Sequence, residues 1–445
     1  MIKRVLVPTV LAALLLVPQP LCAQQGLSDL LVKLIQFDIT LTPPLPGQIS
    51  HEGHYQAGPG LEPSVDPTQA SYVFNQVLGV QLTTFPIGSS SRAFSHVFNP
   101  DLGGFERTTE SFGPIFAERA LTIGRRRLGV GLDVQHSHYD SFRGKELQDG
   151  AVKFYLRHFP FGAFLGRPPV FFEGDLVEAA LKLKLSKSQA VFSANYGVTN
   201  AFDVGIVVPI VHVNMDAAVE ATILRLATGS VAASQNTHQF PDGGTTAVFT
   251  AKGSATGIGD VVLSSKYRFF SEGQGGLAAG LHVRLPTGDS ENLLGTGAKQ
   301  ATVNLIGSTA SGRIASHFNI GYTFSGRSNV ATIPDEFDYR GGIEIPVNPR
   351  LTLTADFVGR AFRNMVFLRE TDTVFDFVNM FGVPNSIKLA EFQPVSGTLH
   401  SVLETLGGTF NITRNLLISV NVLIPLNSSG LRTNVTPAVG LAYAF

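Results

Sequence analysis

The chain has 445 residues, with 33 Lys+Arg against 34 Asp+Glu and a formal net charge of −1. Only 15% of its residues are charged while 44% are hydrophobic. A soluble domain carries about 25% charged residues, so this composition fits neither a disordered chain nor a basic nucleic-acid-binding surface.

Residues 1–23 read as an export signal. Lys3 and Arg4 supply a positive start, 5–17 is apolar but too short to span a bilayer as a helix, and Pro18 and Pro20 break it before Ala23. Cleavage after Ala23 is favoured over lipidation of Cys22, because Gln19, Pro20 and Leu21 are not the small residues that a lipidation site wants. Cys22 is the single cysteine, so a cleaved chain holds no disulfide. Residues 24–125 form a separate segment. A short amphipathic helix is expected over 28–41 behind Ser28, loop over the Pro- and Gly-rich 42–68, and strand or helix over 69–85 and 92–98. A plug folded into a larger body and a periplasmic tether are both compatible with this segment.

From residue 126 to 445 the apolar residues recur at every second position. Leu181, Leu183 and Leu185 alternate with Lys182 and Lys184; Phe202, Val204, Ile206, Val208 and Ile210 alternate with Asp203, Gly205 and Pro209. The same rhythm holds at 277–285, 318–325 and 418–426. After the signal no apolar run reaches 18 residues, which excludes membrane helices. Strands of about 10 residues are long for a soluble sandwich and suit a tilted crossing of the hydrocarbon. The fold expected is therefore all-β: a transmembrane antiparallel β-barrel of about 14 strands, within limits of 12 to 16.

The expected strands are 126–139, 148–159, 175–186, 188–198, 201–212, 258–270, 276–286, 299–308, 313–325, 337–347, 350–362, 399–411, 414–425 and 432–445. Connections near 198–201, 271–276, 308–313, 347–350 and 411–415 are short and turn-like. Those at 213–257, 287–298, 326–336 and 363–398 are long, as expected of periplasmic turns and extracellular loops. Two connections resist that division: 160–174 is long for a turn, and 186–188 is short for an outer loop. The last strand alternates Val439, Leu441, Tyr443 and Phe445 with small residues, an outer face suited to closing a barrel in lipid. That strand, ending on Phe445, is the expected contact for barrel-assembly machinery.

Catalytic motifs are missing: the sequence has no G-x-S-x-G, no P-loop, no H-E-x-x-H and no C-x-x-C. His51 and His54 flank Glu52-Gly53 in a Pro/Gly-rich loop, at the wrong spacing for a helical zinc site. His136 and His138 share a strand face, but they follow Leu128, Val130, Leu132 and Val134 and read as a strand rising out of the apolar band. The reading is of a non-enzyme with no cofactor, no metal and no nucleic-acid partner. The polar members of the alternating runs are the candidates to line a lumen: Lys182, Lys184, Asp203, Lys266, Arg268, His282, Arg284, Glu344, Asp356 and Arg360. Their mixed signs argue against a strongly charge-selective pore. Mutual pairing that merely holds the barrel is an equal reading of them. Phe85, Phe94, Phe98, Phe105, Phe112 and Phe116 could line an apolar access site.

Several blocks share a known pattern. They are Asn195-Tyr196-Gly197-Val198-Thr199, Phe202-Asp203-Val204-Gly205 with Val208-Pro209, Gly257-Ile258-Gly259-Asp260 with Lys266-Tyr267-Arg268, Leu285-Pro286-Thr287-Gly288-Asp289, and Gly321-Tyr322. In order and spacing they resemble the outer-membrane proteins of the "MetA-pathway of phenol degradation" family, relatives of FadL-type channels, over roughly 190–350. The resemblance implies uptake of small hydrophobic solutes across the cell outer membrane. One departure concerns gating: FadL-type channels carry an Asn-Pro-Ala hatch motif, where this chain has Asn99-Pro100-Asp101. The functional expectation is an outer-membrane channel or transporter passing small hydrophobic or aromatic compounds by diffusion. The alternative is a structural or adhesive barrel with a plugged lumen.

Overall fold

A computed structural model describes residues 26–42, 70–84, 96–99, 104–107, 112, 115–158, 166–168, 171–229, 238–273, 275–328, 332–413 and 415–445. The expected signal at 1–23 and the His51/His54 loop lie outside the described residues. In chain order the elements are α1 (Leu27–Gln36), α2 (Ala70–Thr83), β1 (His96–Asn99), β2 (Gly104–Arg107), β3 (Leu128–Phe142), β4 (Lys145–Glu146), β5 (Val152–Arg157), β6 (Leu176–Gly197), β7 (Phe202–Leu224), β8 (Thr246–Ile258) and β9 (Val262–Glu272). They continue as β10 (Gly275–Arg284), β11 (Gln300–Ser311), β12 (Ile314–Ser325), β13 (Asp335–Asn348), β14 (Leu351–Val378), β15 (Pro384–Thr413), β16 (Leu416–Pro425), β17 (Leu431–Thr433) and β18 (Thr436–Ala444).

Twelve strands close a ring. From β6 it runs through β7, β9, β10, β11, β12, β13, β14, β15, β16 and β18 to β3, and β3 pairs back onto β6 from Leu128↔Tyr196 to Tyr139↔Leu185. Every neighbouring pair is antiparallel, and closure leaves no edge to be satisfied in lipid. β8 and β9 are two halves of one wall strand: β9 pairs with 202–207 of β7 and β8 with 210–222. The break between them faces Pro209, whose carbonyl accepts from Gly259 N at 2.8 Å.

The expected strands at 175–186 and 188–198 are one strand, β6, with no loop between them. The segment at 148–159 supplies β5, which pairs only with the first six residues of β6 and stays outside the ring. Removing two crossings in this way, from fourteen to twelve, resolves both irregular connections, because 166–168 and 171–174, the described part of 160–174, then lie at the long-loop end. Among the described residues no helix is long and apolar enough to cross a membrane.

The wall has a lipid belt and an extension above it. In the belt, large apolar side chains point outward: Phe192, Ile206, Leu263, Leu305, Phe318, Val420 and Leu441 are all exposed at 41–55%. Such a band on a closed barrel is what an outer-membrane protein presents to lipid. Phe269, Phe270, Phe410, Tyr443 and Phe445 extend it to the short-turn, periplasmic end. β6 and β7 have 22 and 23 residues, and β14 and β15 have 28 and 30. At about 3.3 Å per residue a 23-residue strand is about 75 Å long, far more than the roughly 30 Å hydrocarbon core. The excess rises past the belt as an extension at the long-loop end.

Two helices fill the mouth of this extension. α1 buries Leu27, Leu31, Leu34 and Ile35, and α2 buries Val73, Phe74, Val77, Leu78, Val80 and Leu82. They pack against Leu181, Leu183, Leu185, Val213, Met215 and Val219 on the inner face of β6 and β7 in one continuous core. A helix apolar on nearly all sides belongs inside a body, and α2 has walls around it. Phe74 meets Phe142 and Phe154 edge-on, at ring separations of 4.7 and 5.7 Å. On β8, Gly253 gives α1 room: a Cβ there would stand 2.5 Å from a Leu27 methyl. The helix expected at 28–41 is thus shorter, and 69–85 resolves to helix rather than strand.

Candidate functional site

Below α2 the lumen is polar. Across-strand partners share a face, so the register places Asp203 beside Lys266, and Asp356 beside Thr405 and Gly342, all turned inward. Seven of the ten sequence candidates are grouped here: Asp203, Lys266, His282, Arg284, Glu344, Asp356 and Arg360. Arg268 stands at the periplasmic lip, its guanidinium donating to Asn200 O at 3.0 Å.

Lys182 and Lys184 do not line the lumen. They are exposed on the outer face of β6, while the intervening Leu181, Leu183 and Leu185 point inward to the helices. Lys182 Nζ donates to Glu220 at 3.0 Å on that outer face, and Lys184 lies opposite Asp216. In the extension the apolar side faces the core and the charged side faces solvent, the reverse of the belt.

What occupies the polar lumen is the strand-free segment 115–124, a feature that the alternation of the wall strands does not reveal. It is held residue by residue. Asp356 Oδ2 accepts from the backbone N–H of Ile115, Phe116 and Ala117 at 2.7, 2.5 and 3.2 Å. Asn319 Oδ1 accepts from Glu118 N at 2.6 Å, and its amide returns a bond to Glu118 O at 3.0 Å. Arg119 inserts its guanidinium onto Glu344, with Nε to Oε1 at 3.1 Å and Nη2 on Oε2. His317 Nε2 lies 2.6 Å from the same carboxylate. Ala120 N donates to Ser308 Oγ at 2.8 Å and Ile123 N to Asp203 Oδ2 at 2.9 Å. Lys266 Nζ donates to Arg119 O at 3.1 Å and lies 3.6 Å from Glu118.

A carboxylate that accepts several backbone donors needs them in fixed geometry, and a buried arginine needs a planar partner. Asp356 and Glu344 meet those needs for a segment more than 200 residues away in sequence. Gly197 lets that segment pass: a Cβ there would overlap the carbonyl of Gly124. Phe112 and Phe116 are buried around it. Phe85 and Phe94 lie outside the described residues.

Between α2 and this segment an open cavity of about 110 Å³ remains. Thr84, at the end of α2, and Glu118 bound it from opposite sides, and Arg284, Arg340 and Arg360 line it. Val207, Val262 and Ile306 give it an apolar flank. Arg360 grips Glu336 through Nε and Nη2, both at 2.6 Å, and donates to Thr84 Oγ1 at 2.9 Å. Arg340 holds Asp338 at 3.1 Å. Glu336, Asp338 and Arg340 fall outside the sequence candidates. They alternate with Phe337 and Tyr339, which is the signal that would have found them.

Two of the motif blocks, distant in sequence, form one clasp beside the cavity. Thr287 Oγ1 donates to Gly259 O at 2.8 Å and accepts from Val261 N at 2.9 Å. Asp260 accepts from Gly288 N at 3.1 Å, from Thr296 N at 2.8 Å and from Thr296 Oγ1 at 2.7 Å. The clasp folds 285–299 inward, where Glu291 O accepts from Ser28 N at 2.8 Å and so anchors the start of α1. Among the described residues no group of three or more His, Cys, Asp or Glu is placed to hold a metal ion. His136 and His138 stand on the outer face and contact Ser188 and Gln148 at 2.8 and 3.2 Å.

Residues 176–359, from the start of β6 into β14, match the family model of the MetA-pathway of phenol degradation, and the chain resembles that family. No curated protein sequence matches the chain. An outer membrane channel from Pseudomonas putida F1 is 11% identical, covering 73% of this chain and 98% of its own, with a TM-score of 0.43. The toluene transporter TodX of P. putida is 12% identical over 82% and 97% of the two chains, TM-score 0.31. The toluene transporter TbuX of Ralstonia pickettii is 14% identical over 72% and 90%, TM-score 0.28.

Proposed function

We propose that this outer-membrane barrel is a channel that passes small hydrophobic or aromatic compounds by diffusion, without energy coupling in its own chain. The observation that carries this reading is the cavity kept open in mid-lumen, with Val207, Val262 and Ile306 on one flank. A barrel built only for support would gain by filling that space, since buried voids cost packing energy. The match of 176–359 to a family described by phenol degradation supports a role in supplying small aromatic solutes. Proteoliposome uptake tests it: aromatic solutes should enter faster than with empty vesicles and faster than sugars of similar size. Equal rates with and without protein for every solute would end the channel reading.

A second reading, a plugged structural barrel, is favoured by the bolting of 115–124 to β7, β11, β12, β13 and β14 through Asp203, Ser308, Asn319, Glu344 and Asp356. Planar-bilayer recording separates the two, because a permanently plugged barrel gives no open steps.

A further inference from the structure

The cavity lining sets Arg284, Arg340 and Arg360 against Glu118, Glu336 and Asp338, and Glu118 lies 3.6 Å from Lys266. Arg360 is neutralised by Glu336 and Arg340 by Asp338. The guanidinium of Arg284, the third arginine of the lining, has among the described residues no carboxylate within ion-pair distance and no hydrogen bond. It ends β10, facing inward opposite Gln300, and His282 stands two residues earlier on the same face. The charged groups around it are Asp260, Glu336, Arg360 and Lys187. Asp260 is already taken by its three donors from 288 and 296, and Glu336 by the fork of Arg360.

A half-enclosed guanidinium whose donors have no protein acceptor loses hydrogen bonds that the oxygens of a bound anion would restore. Its planar fork matches a carboxylate with two parallel hydrogen bonds. The remaining lining divides in two. Gln300, Thr302, Asn304 and Thr323 offer amide and hydroxyl groups, while Val207, Val262 and Ile306 offer an apolar surface. The volume, about 110 Å³, is below the roughly 150 Å³ of a closed apolar cavity known to accept benzene, so a ligand the size of benzoate would also extend into the open lumen.

We propose that the mid-lumen cavity is a binding site for a small organic monocarboxylate, its carboxylate on Arg284 and its apolar body against Val207, Val262 and Ile306. The consequence for transport rests on the channel reading above and narrows its cargo to acids; binding itself does not depend on it. Gln300 and Asn304 would hold the edge of the ligand, and the opposed pairs Arg360–Glu336 and Arg340–Asp338 would wall it without adding net charge.

The test uses the full-length protein in detergent, titrated calorimetrically with benzoate, with neutral benzyl alcohol, and with phosphate. Benzoate is expected to bind, benzyl alcohol to bind at least about tenfold more weakly, and Arg284→Gln to weaken benzoate by about tenfold or more. Arg284→Lys, which keeps the charge and loses the fork, should fall between. Arg363→Gln, exposed on the wall, should leave binding unchanged. Heat-modifiable gel migration checks that each variant is a folded barrel. If Arg284→Gln does not fold, the benzoate-to-benzyl-alcohol ratio in the wild type decides alone. No benzoate binding, equal binding of the neutral analogue, or phosphate binding as tight as benzoate would overturn the proposal. Benzoate binding without flux of any solute into liposomes would sink the channel reading and leave the site standing; flux of neutral aromatics without benzoate binding would do the reverse.

Discussion

The lower and upper halves of β7 share an unbroken backbone alternation and carry opposite chemistry. Below Val211 the outward residues are Phe202, Val204, Ile206, Val208 and Ile210, with Asp203 inside; above it the outward residues are His212, Asn214, Asp216 and Glu220, with Val213, Met215, Ala217 and Val219 inside. β6 inverts at the same height, from inward Leu181, Leu183 and Leu185 to outward Phe192 and Tyr196. Strand geometry fixes only that neighbours point to opposite faces. Which face is apolar is decided by where water is: inside the belt, outside the extension. The inversion on β6 and β7 therefore marks the level at which the wall leaves lipid.

The sharpest break between the regions is what each packs inside. The belt binds its filling through charge and backbone hydrogen bonds, the extension through apolar contact. Arg119→Ala leaves Glu344 buried beside His317 without its fork, and removing one partner of a buried pair costs about 3–5 kcal/mol. The variant should show looser amides over 115–124 in hydrogen exchange and longer-lived open steps in bilayers, with the extension unmoved. In the other region Leu183→Ala should cost about 2–5 kcal/mol, as fully buried leucines do. Its effect should be confined to exchange protection of α1, α2 and the upper strands. If either variant loosens both regions equally, the two fillings are one cooperative unit and the division fails.

The lipid boundary can be read from a single strand. Ile206→Arg and Asn214→Arg both place a cation on the outer face of β7, eight residues apart. In the belt the charge should cost about 2–4 kcal/mol of folding into vesicles, measured by urea titration, whereas surface changes in water stay within about 0.5 kcal/mol. Equal costs at both sites would show that the extension too lies in lipid.

Most of the barrel was legible in the sequence because period-2 alternation survives whichever side faces water. The side itself was not. Leu181-Lys182-Leu183-Lys184-Leu185 repeats as cleanly as Phe202–Ile210, so Lys182 and Lys184 look like lumen residues although they face outward. The one-strand nature of β6 was hidden for the same reason, since Ser186, Lys187 and Ser188 are the inversion itself and read as a turn. Asp203, Lys266, Glu344, Asp356 and Arg360 were found because a charge opposite lipid-facing neighbours has only the lumen to occupy. Their partners were not, because 115–124 has no periodicity and binds through backbone donors that any residue carries. The clasp of Asp260 with Thr287 and Gly288 joins blocks that sequence spacing separates, and only the β9–β10 hairpin brings them together.

The smallest effect tests how the extension is stapled at its rim. Asp175 is fully buried just before β6. Its Oδ1 accepts from Ala227 N and Thr228 N at 2.9 and 3.1 Å; its Oδ2 accepts from Thr228 Oγ1 at 2.6 Å and from His238 Nδ1 at 2.8 Å. The staple reaches the tip of the β14–β15 hairpin, since Ala227 O accepts from Met380 N at 3.0 Å. Burial alone would raise the Asp175 carboxyl, but the bonds from His238 and Thr228 outweigh it and hold the group below its ordinary value. A depressed folded value means that the stabilisation is complete above the unfolded carboxylate range of about 3.9 and is lost as pH falls through the lower, folded value. Asp175→Asn should therefore cost about 1–3 kcal/mol at neutral pH, as an unmet buried acceptor does, seen as faster exchange at 227 and 228. The gap between variant and wild type should close in acid. The belt, which lacks this staple, should show no such convergence in its outward-facing strands. A gap that stays constant down to low pH would mean that the carboxylate charge is not what holds the rim, and that shape complementarity around His158, Phe172 and His238 is enough.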